Sequence, residues 1–165
     1  MGNRIYLDKF SGNNDFKFFK ELTSNKELME MNYGRIFTDI ESQKCYKRIT
    51  ANNKNHDNLG SFKVFELESN NFIGMGAILA YNTNSEADIE YSLLPQYWHK
   101  GYGTEIAQHL LDLVKNMTSI NVVTATIDPN NIGSRKILLK LGFKHVKSNK
   151  IDDGSLAEDF VLNIR

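Results

Sequence analysis

One hundred and sixty-five residues, 18.9 kDa, give room for a single domain spanning residues 1–165, and a chain of that length buries about two-thirds of its unfolded surface. Twenty Lys and Arg offset twenty Asp and Glu; at a net charge of +0 no overall field draws the chain onto DNA, RNA or an anionic membrane, so an anionic ligand has to be held by local geometry. The composition, 41% hydrophobic and 24% charged, excludes a disordered or fibrous chain. The lone Cys45 has no disulfide partner, the segment from Met1 to Lys9 lacks the apolar core of a secretory leader, and no apolar run approaches the roughly 18 residues of a membrane span; a reducing cytoplasm is the expected location.

Alternation from Ile5 to Phe10 predicts a first strand, closed by the turn residues Ser11-Gly12-Asn13-Asn14. Phe18, Phe19 and Leu22, then Leu28 and Met29, predict one or two short helices. Thr38-Asp39-Ile40-Glu41 reads as a capping box that opens another helix, and the Asn-rich stretch from Asn52 to Asn58 reads as a surface loop with nothing to bury. Ser61 to Glu68 and Phe72 to Ala80 predict a hairpin around Ser69-Asn70-Asn71, and Tyr81 to Ser85 a further turn. Asp88 to Leu94 predicts a strand stopped by Pro95; Gly101-Tyr102-Gly103 then opens a long helix with an apolar stripe of Ile106, Leu110, Leu113, Val114 and Met117. Val122 to Ile127 is a β-branched strand, Pro129 is read as starting a helix that Gly142 ends, and two last strands, Phe143 to Lys147 and Glu158 to Ile164, flank a turn at Asp152-Asp153-Gly154. The order β-α-α-β-β-β-α-β-α-β-β, without repeat or linker, describes one mixed α/β domain.

The segment Leu93-Leu94-Pro95-Gln96-Tyr97-Trp98-His99-Lys100-Gly101-Tyr102-Gly103-Thr104-Glu105 joins a strand end to a helix start through glycines. The first N–H groups of a helix lack internal partners and sit at the positive end of its dipole, so such a junction can hold a phosphate without formal charge, and Lys100 adds one. The same glycines also suit a plain tight turn. Neither a Walker loop nor a dinucleotide fingerprint fits, since Lys100 precedes Gly101 and Ile106 stands where a third glycine belongs.

About thirty residues on, a second junction appears: the strand ending at Ile127, then Asp128-Pro129-Asn130-Asn131-Ile132-Gly133-Ser134, and a helix closing on Leu141-Gly142-Phe143. With both junctions in this order the sequence resembles the GNAT acetyltransferases, which move an acetyl group from acetyl-CoA to an amine. It is most similar to their Rim-type, ribosomal-protein branch, with its Trp-x-Lys-Gly-Tyr-Gly/Ala-Thr-Glu turn, Asp-x-x-Asn-x-x-Ser and Leu-Gly-Phe. The resemblance implies a central mixed, mostly antiparallel sheet, splayed between its fourth and fifth strands and flanked by helices. It implies that Trp98, His99, Lys100, Gly101, Tyr102, Gly103 and Thr104 hold the CoA pyrophosphate, that pantetheine lies in the splay beside Leu93 and Leu94, that Asn131 meets the pantetheine arm, and that Ser134 gives a proton to the departing thiolate. His99 departs from the branch, which has Gly there, and Leu138 stands where many relatives carry a tyrosine acid.

An amine with a pKa near 10.4 is protonated at neutral pH, so acetylation needs a base. Glu90, on the strand leading to the phosphate turn, is the first candidate, with Asp88 on the same side as the reserve; an N–H near Leu93 or Leu94 is the candidate oxyanion donor. Glu90 can equally be an ion-pair carboxylate, and Asn131 and Ser134 can equally be helix caps. His56, His99, His109 and His145 show no metal-ligand spacing, so no metal is expected. Cys45 reads as a small buried residue, and Phe16, Phe18, Phe19, Tyr33 and Phe37 as core side chains first and acceptor contacts second. The expected acceptor is a peptide N-terminus or a small-molecule amine. The alternatives are a non-catalytic acyl-CoA-binding or regulatory module, for which Leu138 speaks, and a nucleotide or other phosphate binder.

Overall fold

Strands β1 (Ile5–Lys9), β2 (Gly60–Glu66), β3 (Phe72–Ala80), β4 (Glu86–Leu93), β5 (Val122–Ile127), β6 (Lys144–Lys150) and β7 (Leu156–Asn163) alternate with helices α1 (Phe16–Thr23), α2 (Lys26–Tyr33), α3 (Asp39–Lys54), α4 (Tyr102–Lys115) and α5 (Ile132–Lys140) in the computed structural model. The structure describes residues 2–80, 85–151 and 154–165, so the turns read at Tyr81 to Asn84 and at Asp152-Asp153 lie outside the described residues. One seven-stranded sheet runs in the order β1-β2-β3-β4-β5-β7-β6. Every neighbouring pair is antiparallel except β4 and β5, which run parallel for only Glu86↔Val122, Ala87↔Val123 and Asp88↔Thr124. Beyond Asp88 the two strands part, giving the splayed mixed sheet that the resemblance implied.

Two sets of helices cover this sheet. The stripe of α4, with Ile106, Leu110 and Val114 fully buried, packs on the face that carries Ile78, Ile89 and Val123, and Leu138 of α5 joins the same core. Gly76 of β3 makes that contact close, for a Cβ there would lie 3.2 Å from Leu110. On the other face Phe10, Phe19 and Tyr46 form a second cluster against Met75, with Cys45 half-buried beside it. A buried lysine ties α1 to β2: Lys63, 5% exposed, is held by Asp15 at 2.7 Å and Asp8 at 2.8 Å, and these two carboxylates keep it charged despite its burial.

Local chemistry sets the helix ends. At α3 the capping box is complete: Thr38 Oγ1 accepts from Glu41 N–H, and Glu41 Oε2 accepts from Thr38 N–H. At the end of α5 Gly142 takes φ +92, so that Phe143 N–H reaches Leu138 O and Gly142 N–H reaches Leu139 O, the paired bonds of a Schellman stop. Two readings of the sequence need correction. Pro129 does not start α5; Asn131 caps it and Pro129 stands in the turn before. Nor is the Asn-rich stretch all surface: α3 continues to Lys54, and Asn53 is buried, its Nδ2 donating to Phe10 O and Ser61 O and its Oδ1 accepting from Ser61 N–H. An amide supplies two donors and an acceptor, which lets it join α3 to two strands where an apolar residue would leave backbone groups unpaired. No helix among the described residues is long and apolar enough to cross a membrane.

Candidate active site

The turn from Trp98 to Gly101 is built by two left-handed residues, His99 at φ +60 and Gly101 at φ +85, with Gly101 as the N-cap of α4. Histidine tolerates this region better than most residues with a Cβ, so its replacing glycine keeps the turn. No described residue accepts a hydrogen bond from the backbone N–H groups of His99 to Thr104, whereas Glu105 N–H closes on Gly101 O at 3.1 Å. A run of free N–H groups at a helix start, beside the exposed Lys100, fits a diphosphate. Trp98 braces the turn from inside: its Nε1–H donates to Leu93 O at 2.8 Å. Gly103 is spaced for packing, since a Cβ there would lie 2.9 Å from Ile137 of α5.

Arg4 braces the same turn from outside. Its Nε pairs with Glu105 at 2.9 Å, its Nη2 donates to Lys100 O at 3.1 Å, and its guanidinium lies 4.1 Å above the Tyr102 ring. Tyr102 is itself buried and donates its hydroxyl proton to Glu66. A strand end separated by about a hundred residues in sequence thus fixes the first turn of α4.

Where β4 leaves β5, Leu94 N–H is taken by Ile73 O at 2.9 Å. In an antiparallel ladder that bond makes Leu93 and Gly74 a pair whose own N–H and C=O groups point away from each other, so Leu93 N–H is directed into the gap while Leu94 N–H is spent. On the α5 side of the gap Asn131 Oδ1 accepts from Ser134 N–H at 3.0 Å, which caps the helix and leaves Asn131 Nδ2 for another partner; Ser134 is buried. Leu138 is fully buried and offers no proton.

The opposite side of the gap is a groove of about 380 Å³ lined by Asp88, Glu90, Thr124, Thr126, Lys147 and Asp159. Asp88 and Glu90 project to this side by strand alternation. The β5 threonines hold two of the carboxylates: Thr124 Oγ1 donates to Asp88 Oδ1 at 2.7 Å, and Thr126 Oγ1 to Asp159 Oδ1 at 2.8 Å. Burial pushes the Asp88 carboxyl up to about 7, and the negative charges of Glu90 and Asp159 push the same way against the Thr124 hydrogen bond. Glu90 stands at the solvent side of the groove, yet the protein around it withholds enough water to raise its pKa as well. Tyr33, exposed at the end of α2, has its phenol raised by surrounding protein and then by the Glu90 charge. Its role as a core side chain is not seen; Phe19 is core as expected. Among the described residues no three His, Cys, Asp or Glu side chains are grouped to hold a metal ion.

The structure brings together Glu90 and Asp88 on one side of the gap, and Asn131 and Ser134 on the other, with the Trp98 to Thr104 turn at its end. Sequence reasoning missed Arg4, Thr124, Thr126, Lys147 and Asp159. The alternation of Thr124 and Thr126 with Val123 and Ala125 was a usable signal for a polar strand face. Nothing local in sequence links Arg4 to Lys100.

The family model of the acetyltransferase (GNAT) domain matches residues 4–144. YnaD of Bacillus subtilis (strain 168), described as an uncharacterized N-acetyltransferase, is 27% identical over 130 residues, 79% of this chain and 74% of that protein. A GNAT-family acetyltransferase structure from Bacillus anthracis aligns with a TM-score of 0.81 at 20% identity, covering 99% of this chain and 96% of that one. RimL, a ribosomal L7/L12 alpha-N-protein acetyltransferase solved with coenzyme A, aligns with a TM-score of 0.81 at 14% identity over 99% of this chain and 96% of its own. At such identities the two structures speak for the fold, and the family match covers most of the sequence. The chain belongs to the GNAT acetyltransferase family.

Proposed function

We propose that this protein is an acetyl-CoA-dependent N-acetyltransferase that acetylates a primary amine, a peptide N-terminus or a small molecule, by direct attack. The observation that carries this reading is the gap between β4 and β5, with titratable carboxylates on one side, Ser134 on the other and a run of free N–H groups at its end. Acetyl-CoA supplies the activated thioester. The N–H groups of the Trp98 to Thr104 turn, with Lys100, hold its pyrophosphate, and Leu93, Leu94 and Asn131 line the path of its pantetheine arm. Glu90 takes a proton from the acceptor ammonium, and Asp88 and Asp159 beside it favour a cationic acceptor. Leu93 N–H is the donor to the acetyl oxygen as negative charge develops there. As the new C–N bond forms and the C–S bond breaks, Ser134 Oγ gives its proton to the departing sulfur and recovers one from water. Glu90 releases the first amine proton to water and the nitrogen gives up its second to solvent, so one proton is released for each acetyl group transferred.

Free-thiol release in the presence of acetyl-CoA and a panel of peptide, polyamine and aminoglycoside amines tests this. Glu90→Gln is expected to lower kcat about 100-fold and Ser134→Ala about tenfold. If both variants turn over like the parent while CoA still binds, the assignments are wrong. CoA binding without any turnover supports the non-catalytic module that Leu138 favours, and stabilisation by ATP but not by CoA supports the nucleotide binder.

A further inference from the structure

Among the described residues two buried side-chain oxygens have no hydrogen-bond partner, Tyr91 Oη and Glu158 Oε2. The Glu158 carboxylate is at least anchored through its other oxygen, which accepts from Arg135. Tyr91 has no such bond, and a buried hydroxyl without a partner is destabilising unless something uses it. Tyr91 lies on β4 beyond Asp88, where pairing to β5 has ended. Alternation turns its ring away from Glu90 and onto the α4 and α5 side, where it packs on the main core. Ser134 is buried on that same side, its backbone fixed by Asn131. Burial pushes the Tyr91 phenol up to about 12 and the neighbouring Ser134 hydroxyl tempers the rise, so Tyr91 stays a neutral O–H donor at physiological pH, although the two hydroxyls do not meet hydrogen-bond geometry.

We propose that Tyr91 is a positioning residue for Ser134: its Oη–H donates to Ser134 Oγ when the gap is filled, and so turns the Ser134 proton toward the departing sulfur. An oxygen that accepts from Tyr91 has its own O–H free to point elsewhere, and the gap is the direction left to it. The inference rests on Ser134 being the proton donor.

Kinetics of Tyr91→Phe, Ser134→Ala and the double variant with acetyl-CoA test both. Tyr91→Phe keeps the ring and removes an unpaired hydroxyl, so it is expected to melt no lower than the parent while kcat falls about fivefold and the KM for acetyl-CoA stays within about twofold. The double variant is expected to be no slower than Ser134→Ala alone. Losses that multiply in the double variant, or an unchanged kcat in Tyr91→Phe, overturn the positioning role while leaving Ser134 in place. A Ser134→Ala variant as fast as the parent overturns the reading of Ser134 itself and the inference with it.

Discussion

Asp88 holds its proton up to about pH 7 in the folded chain, against an ordinary value of 3.8. Between those two values the folded state binds a proton that the unfolded state has lost, so raising the pH favours unfolding. The stability tied to Asp88 is fully present at about pH 4 and falls away up to about pH 7. Asp88→Asn keeps an acceptor for Thr124 and carries no charge. Urea titrations should find its stability falling less steeply over that window, with the Glu90 contribution left, and at pH 8 higher than the parent's by on the order of 2 kcal/mol. A variant that keeps the parent's slope would show that another group titrates there. The same burial explains why Asp88 and Glu90 belong together in any pH–rate profile: two neighbouring carboxylates, both raised, titrate as a pair, and the acid limb of kcat/KM should lie above the usual carboxylate range.

At the scale of elements, the gap depends on how tightly the end of β4 is pressed onto β3. Gly74 makes that possible, because a Cβ there would lie 2.1 Å from Ser92 O, a backbone atom that cannot step aside. Gly74→Ala is therefore expected to cost about 3 kcal/mol, read as a lowered melting temperature, and to weaken CoA binding in whatever fraction stays folded. Elements of this kind differ in how far the sequence announces them. The span of β5, the capping box before α3 and the Leu141-Gly142-Phe143 stop are written in neighbouring residues, and each appears where local chemistry put it. Asn53 was not legible, since its value lies in two strands that the Asn-rich stretch gives no hint of. Asp159 was likewise hidden, for its place in the groove depends on β7 pairing with β5 rather than on its own surroundings in sequence.

For the whole molecule, a balanced charge is compatible with the proposed anion site, because its donors would be mostly backbone N–H groups. What the sequence could not reveal is that the turn bearing them is clasped by Arg4, just ahead of the strand at the outer edge of the sheet. Edge strands fray, and fraying here would release the Lys100 carbonyl and the Glu105 carboxylate together. Ligand affinity and strand fraying are then reciprocal: whatever free energy the docked strand adds to cofactor binding, the cofactor returns to the docking of the strand. Hydrogen exchange makes the relation visible. With CoA present, the amides of β1, the strand that follows Arg4, should exchange more slowly, and Arg4→Ala should abolish that protection; equal protection in both proteins would mean that the outer edge and the phosphate turn are energetically separate.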